Sequence, residues 1–242
     1  MGQSRMAEAV ERVSTLLELG TPPVGLSFVD VPPVGVSGPA RPVPSSCTFW
    51  REAEKGMFYA SADHHFNCAV GAMVMGFELP EGLQQELRGL VQVMVEQRYL
   101  DPAEAASIPT VRTASAGIVY GPMVALPTEP QLMLLWLTPR QLMLFNEAIG
   151  AADWTGSPMT ATGRPACAAL PLAKEGGRPT VSAGCMGMRT FTEVADDRLL
   201  AVVPGDQVTD LADALERTIA ANEAMEAFYE GRKAVLQRSD VG

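Results

Sequence analysis

The sequence predicts an α+β fold: a single domain that could divide into two lobes, with a mixed sheet, flanking helices and a long C-terminal helix. The chain has 242 residues and is 47% hydrophobic, which suffices for one large core or two small ones. Leu132–Leu137 is a continuous apolar run, typical of a strand buried on both faces. Apolar residues at helical spacing follow Pro80 and fill the C-terminal segment.

The first part of the chain is predicted to alternate short helices and strands, separated by proline, glycine and polar residues. The order is a helix over 1–20, a strand over 22–29, a proline-rich loop over 32–44, a short helix from Cys47 to Gly56, a strand over 57–61 and a polar turn over 63–67. Asn67 is expected to cap a helix that starts at Cys68.

The middle and end of the chain continue this pattern. The predicted elements are a helix from Pro80 past Met94, a short helix over 102–107, strands over 117–120 and 132–137, a helix from Thr138 to Gly150, a loop over 154–163, a helix from Pro165 to Lys174, strands over 180–183, 189–194 and 199–203, and a helix over 206–238. Pro171 is expected to kink or end its helix, because proline lacks the amide hydrogen.

Composition excludes several kinds of partner. Eighteen Lys and Arg against 28 Asp and Glu give a net charge of -10, which would repel a nucleic-acid backbone. Leu132–Leu137 is the longest apolar run and is far too short to cross a bilayer. The N-terminal helix is amphipathic and unlike a signal peptide, so we expect a cytoplasmic protein without a membrane segment.

Common catalytic motifs are absent, including the phosphate loop, the dinucleotide fingerprint, the nucleophile elbow and H-E-x-x-H. The two histidines, His64 and His65, are therefore the catalytic candidates for proton transfer. A solvated polar turn that needs no catalytic purpose is the alternative interpretation.

The four cysteines are the candidate metal ligands: Cys47, Cys68, Cys167 and Cys185. Three of them fall in predicted first turns of helices, where free amides favour a thiolate, and Cys185 lies between glycines. Their separations match neither a zinc knuckle nor a ferredoxin run. Buried apolar cysteines, a zinc site and a reactive thiol remain alternatives.

Two arginines, Arg164 and Arg189, stand near Cys167 and Cys185 and are the substrate-binding candidates. A guanidinium group could hold an anionic substrate or balance the charge of a metal cluster. Surface ion pairs are the alternative.

The motifs around these residues resemble the bacterial and archaeal family known as domain of unknown function 169. The resemblance runs from about Pro22 to the final helix and is carried by Ser46-Cys47-Thr48-Phe49-Trp50, Asp63-His64-His65-Phe66-Asn67-Cys68 with Gly71, Gly163-Arg164-Pro165-Ala166-Cys167 and Ser182-Ala183-Gly184-Cys185-Met186-Gly187-Met188-Arg189. Many relatives carry proline where this chain has Ala69. The resemblance implies a shared fold, places all four cysteines inside motifs and implies no activity.

We therefore expect the cysteines to converge on an iron–sulfur cluster of the 4Fe-4S type. Such a protein would transfer electrons, or would act as an oxidoreductase or lyase on a small anionic or sulfur-containing substrate. The expected partners are that small molecule or a redox partner protein. A structural zinc protein and a small-molecule binding module with free thiols are the alternatives.

Overall fold

The computed structural model describes residues 2–113, 115–150, 160–162 and 164–239. Its strands are β1 (Val24–Val29), β2 (Phe58–Ser61), β3 (Gly117–Pro122), β4 (Leu132–Leu137), β5 (Thr160–Thr162), β6 (Thr180–Ser182) and β7 (Leu199–Pro204). They form one sheet in the order β2-β3-β1-β4-β7-β6-β5. All neighbouring strands are antiparallel except β5 and β6, which are parallel, so the sheet is mixed as predicted.

Helices cover both faces of this sheet. In the described part of the chain they are α1 (Gly2–Leu16), α2 (Thr48–Ala53), α3 (Ala62–His65), α4 (Ala69–Val74), α5 (Glu81–Glu96), α6 (Pro102–Ala106), α7 (Pro139–Ala148), α8 (Ala169–Gly176), α9 (Met186–Thr192) and α10 (Val208–Ser239). Three 3₁₀ turns cover Met123–Ala125, Ala166–Ala168 and Gly205–Gln207. The α+β class and the long C-terminal helix are confirmed.

Strand β4 divides the core into two layers, because its side chains alternate between the faces of the sheet. Leu132, Leu134 and Trp136 pack with residues of α2, α4 and α8. Met133, Leu135 and Leu137 pack with residues of α1, α7 and α10 on the other face. Every residue of β4 is buried, which confirms the prediction of a strand covered on both faces.

The two halves of the sheet share a three-strand arrangement, to which the second half adds the short edge strand β5. In the first half β3 lies between β1 and β2, and in the second half β7 lies between β4 and β6, with β1 and β4 adjacent at the centre. In both halves a cysteine-capped helix follows the shorter strand, and the last strand ends in proline before a 3₁₀ turn. Thus each half supplies two cysteines from matching places.

Several predicted elements differ from the structure. The strand expected over 189–194 is wrong, because these residues belong mostly to α9. The turn expected over 63–67 begins with the short helix α3, and residues 160–162 of the expected loop form β5. The rest of that loop, 154–159 and Gly163, lies outside the described residues.

Pro171 does not end its helix. The segment from Pro165 begins as the 3₁₀ turn Ala166–Ala168, and α8 starts only at Ala169. Pro171 therefore falls in the first turn of α8, where a backbone amide has no helical acceptor and its loss costs little. Among the described helices, none has the length and apolar character needed to cross a membrane.

Candidate functional site

All four cysteines line one cavity of about 730 Å³. They reach it from separate segments: Cys47 lies before α2, Cys68 before α4, Cys167 in the turn before α8, and Cys185 before α9. Most other lining side chains are apolar. Among the described residues around this cavity the charged groups are Arg88 and Arg164, and no carboxylate is present.

Cys68 and Cys185 begin helices in the same way. Each residue has an extended backbone, and its sulfur accepts a hydrogen bond from the amide three residues later. The Gly71 amide donates to Cys68 Sγ at 3.3 Å, and the Met188 amide donates to Cys185 Sγ at 3.5 Å. Amides directed at sulfur favour an anionic sulfur and tune the clusters that such sulfurs bind.

The structure changes the expected capping of α4. Asn67 was predicted to be the cap, but its side-chain amide donates to the Val43 carbonyl at 3.0 Å, and Cys68 occupies the capping position. Burial raises the pKa of the Cys68 thiol, although amides of Gly71 and Ser46 act to lower it. The expectation of a lowered Cys68 pKa is therefore wrong, because desolvation outweighs two hydrogen bonds.

Cys47 and Cys167 form the buried side of the cysteine group. The neighbouring Cys167 side chain is the largest cause that raises the Cys47 pKa well above its ordinary value. Burial adds to this effect, as do the charges of Cys167, Cys185 and Cys68. The other three cysteine side chains are thus close enough to Cys47 to oppose its ionisation.

The local packing around Cys68 requires a glycine at position 71. A Cβ atom built there would lie 2.5 Å from Ser46 Oγ and 3.1 Å from Cys68 Sγ. The buried Ser46 hydroxyl has no hydrogen-bond partner among the described residues. The motif residues Ser46, Cys68 and Gly71 therefore form one tightly packed unit beside the cavity.

Behind the cysteines lies a buried pair, His65 and Tyr120. His65 Nε2 is 3.0 Å from the Tyr120 hydroxyl, and His65 Nδ1 is 2.8 Å from the Ser61 carbonyl oxygen. Because a carbonyl can only accept, Nδ1 carries the proton and Nε2 accepts from Tyr120. Burial lowers the His65 pKa to about 4, and burial together with the charges of Cys47 and Cys167 raises the Tyr120 pKa.

Neither histidine lines the cavity. The exposed His64 caps α3, with Nδ1 accepting from the Ser61 amide at 3.1 Å. His65 packs against Phe49 and Phe77 at ring distances of 5.1 and 4.7 Å. Tyr120 is not part of the cavity wall either, although the charges of Cys47 and Cys167 contribute to its raised pKa.

The two candidate arginines lie in different surroundings. Arg164 lines the cavity, donates to the Tyr99 carbonyl, stacks on the Tyr99 ring and lies 3.6 Å from Glu104. Arg189 is not part of the cavity wall and donates to the carbonyls of Ala183, Ala195 and Arg198. These bonds tie together the chain on both sides of α9.

Among the described residues, no group of three or more His, Cys, Asp or Glu side chains is arranged to hold a metal ion. The four cysteines line the same cavity, but they are not grouped around a single metal position. Their assignment as metal ligands therefore stays a prediction.

Sequence reasoning missed two features of this site, Arg88 and Tyr120. Arg88 lies on α5, which was predicted correctly, but nothing in its spacing links α5 to the cysteines. Tyr120 lies on β3 opposite Phe58 and Leu26 in neighbouring strands, and only the register of the sheet brings it to the site.

Comparison with known families gives one result. The sequence model of the family DUF169, described as uncharacterised ArCR, COG2043, matches residues 12–214. This range contains all four cysteines, both histidines and all three arginines discussed above. No curated protein matches the chain, and no solved structure matches it.

Proposed function

We propose, from the premise that this chain belongs to the DUF169 family, that its four cysteines bind an iron–sulfur cluster of the 4Fe-4S type. The observation that carries the proposal is the meeting of Cys47, Cys68, Cys167 and Cys185 at one cavity. Thiolates are soft ligands that select iron–sulfur clusters, zinc or copper(I) over hard cations. A wall without carboxylates suits such a centre.

The room at the cysteines suits a cluster. A single zinc ion draws four thiolates to roughly 3.8 Å of one another, as follows from Zn–S bonds near 2.3 Å. A four-iron cubane is larger, and the cavity of about 730 Å³ that all four cysteines line has room for it.

The surrounding charges also suit a cluster. Four thiolates leave a four-iron cluster with net negative charge, and Arg88 and Arg164 supply positive charge at the same cavity. The Gly71 and Met188 amides would remain directed at the sulfurs of Cys68 and Cys185. The Tyr120 hydroxyl, held by His65, lies behind Cys47 and Cys167.

A cluster of this kind held by all four cysteines transfers an electron, whereas one held by three of them has an iron that can act as a Lewis acid. We therefore propose an oxidoreductase or lyase that acts on a small anionic or sulfur-containing molecule, or an electron carrier with a redox partner protein. All four cysteines are free, which fits the reducing cytoplasm where we propose that the protein works.

One observation favours a second candidate, a small-molecule binding module with free thiols. The raised pKa values of Cys47 and Cys68 keep these thiols protonated in the metal-free chain. Such a protein would bind its ligand without iron.

The first experiment is purification without air, followed by absorbance, iron and sulfide measurements. We expect a brown protein with a broad band near roughly 400 nm and about four irons per chain. Colourless protein with bound zinc, or without metal, would contradict the proposal.

Serine variants then identify the ligands. Cys68→Ser and Cys167→Ser should lose iron or change the spectrum, because a hard hydroxyl replaces a soft thiolate. Met186→Ser is the control, since Met186 lies on the same cavity wall, is 74% exposed and is no proposed ligand. Full iron content in both cysteine variants would exclude these residues as ligands.

A further inference from the structure

Helix α5 covers the cavity without being buried itself. Leu87, Leu90 and Met94 lie at helical spacing along it and all line the cavity. None of the residues in α5 is buried, and Leu90 remains 43% exposed. Amphipathic helices normally bury their apolar stripe against a core. Here the stripe faces a space that protein atoms do not fill.

The cavity is larger than a metal centre held by the four cysteines would require. The cavity measures about 730 Å³, within the range of about 300–1,000 Å³ that is usual for small-molecule sites. The cysteines occupy one part of its wall, whereas α5, α6 and Ile108 form an apolar part. A cluster held by the cysteines would leave that apolar part free for a ligand.

The charged residues at the cavity indicate which charge such a ligand carries. Arg88 lies on α5 among the lining residues, and no described carboxylate pairs with it. Arg164, by contrast, is balanced by Glu104. Arg88 is exposed and stands on a mostly apolar wall, and its positive charge, in a protein of net charge -10, favours a ligand with one anionic group.

We propose that this cavity binds a small molecule with an extended apolar body and a single anionic group, with the body under α5 and the anion at Arg88. The inference rests on the proposed function only for the cysteine part of the cavity, and it narrows the substrate class. Binding of this molecule would complete the packing of Leu87, Leu90 and Met94.

Isothermal titration calorimetry with the full-length protein tests this proposal. The probes are decanoate, decylammonium with the opposite charge, and butyrate with a short body, all below their micelle concentrations. We expect one decanoate per chain and binding at least about tenfold weaker for the other two probes, because each lacks one of the two recognised features. Absence of saturable decanoate binding, or equal binding of decylammonium, would overturn the proposal.

Arg88→Gln should weaken decanoate binding about tenfold, as expected for the loss of a charge-assisted contact. Arg217→Gln is the matched control, since Arg217 is an exposed arginine on α10 and does not line the cavity. Equal affinities of the two variants would show that Arg88 is not the anion site.

Both measurements are made on iron-loaded and on iron-free protein, so that the two proposals fail separately. Decanoate binding by a chain that never binds iron supports the apolar site and contradicts the cluster. An iron-loaded chain that does not bind decanoate supports the cluster and contradicts the apolar site.

Discussion

His65 links a single buried side chain to the stability of the whole protein. The residue is 1% exposed, and burial lowers its pKa from 6.5 to about 4. In the unfolded chain the imidazole takes up a proton near pH 6.5, whereas in the folded chain it stays neutral until about pH 4. The unfolded state thus binds more protons between these values, and stability falls as the pH is lowered through this window.

We predict that His65 alone accounts for a loss of about 3 kcal/mol of unfolding free energy between pH 6.5 and pH 4. Urea unfolding of iron-free protein at several pH values measures this loss. The glutamine in His65→Gln can still hydrogen-bond to Tyr120 but does not titrate. The unfolding free energy of this variant should therefore fall by about 3 kcal/mol less than that of the wild type between pH 6.5 and pH 4. Parallel curves for wild type and His65→Gln would contradict the prediction.

The residues that reach the cavity were only partly predictable from the sequence. The four cysteines and Arg164 were predicted because thiols and arginines beside helix starts are chemically informative by themselves. His65 was also conspicuous, yet it lies behind the wall and is separated from the cavity. Arg88 reaches the cavity but carries no local signal, since the position of α5 depends on tertiary packing.

At the scale of elements, the strongly apolar segments were predicted well. β4 is a continuous apolar run and is buried throughout, and α5 forms where apolar residues recur at helical spacing, although none of its residues is buried. Helix α9 was predicted as a strand because Thr190, Phe191, Thr192 and Val194 have high strand propensity. The cap at Cys185 and the bonds of Arg189 to three carbonyls favour a helix there. Tertiary contacts thus overrode local propensity.

The contribution of Cys185 to stability as the cap of α9 can be measured separately from any role of Cys185 as a metal ligand. Serine is a better helix cap than cysteine and alanine is a poor one. In iron-free protein we predict that Cys185→Ser is at least as stable as the wild type, whereas Cys185→Ala loses about 0.5–2 kcal/mol of unfolding free energy. Urea unfolding measures both.

Cys167 serves as the control for the cap, because it is 3% exposed and lies in a 3₁₀ turn that its side chain does not cap. A buried serine hydroxyl there costs about 1–3 kcal/mol, so Cys167→Ser should be no more stable than Cys167→Ala. The same order of stability at both positions would contradict the capping role of Cys185.

At the scale of the whole molecule, the cysteines connect two halves that meet at a short seam in the sheet. The central strands β1 and β4 pair through three residue pairs, Val24 with Leu134, Gly25 with Met133 and Leu26 with Leu132. Within the halves, β1 pairs with β3 and β4 with β7 through six pairs each. Cys47 and Cys68 come from the first half, and Cys167 and Cys185 from the second. A centre held by all four would therefore bridge the seam.

This arrangement predicts that cluster loading stabilises both halves together. A ligand that binds only the folded state raises its stability, by about 2.7 kcal/mol at one hundred times its dissociation constant. Because the ligands come in pairs from the two halves, the iron-loaded protein should melt in one transition at a higher temperature than the iron-free protein. Hydrogen exchange should slow in α2 and α4 as well as in α9 and the β1–β4 seam.

The measurement is anaerobic calorimetry combined with hydrogen-exchange mass spectrometry. The variant Cys68→Ser, which keeps the cap of α4, should show neither the higher melting temperature nor the slower exchange. Protection confined to one half would mean that the centre does not join the halves.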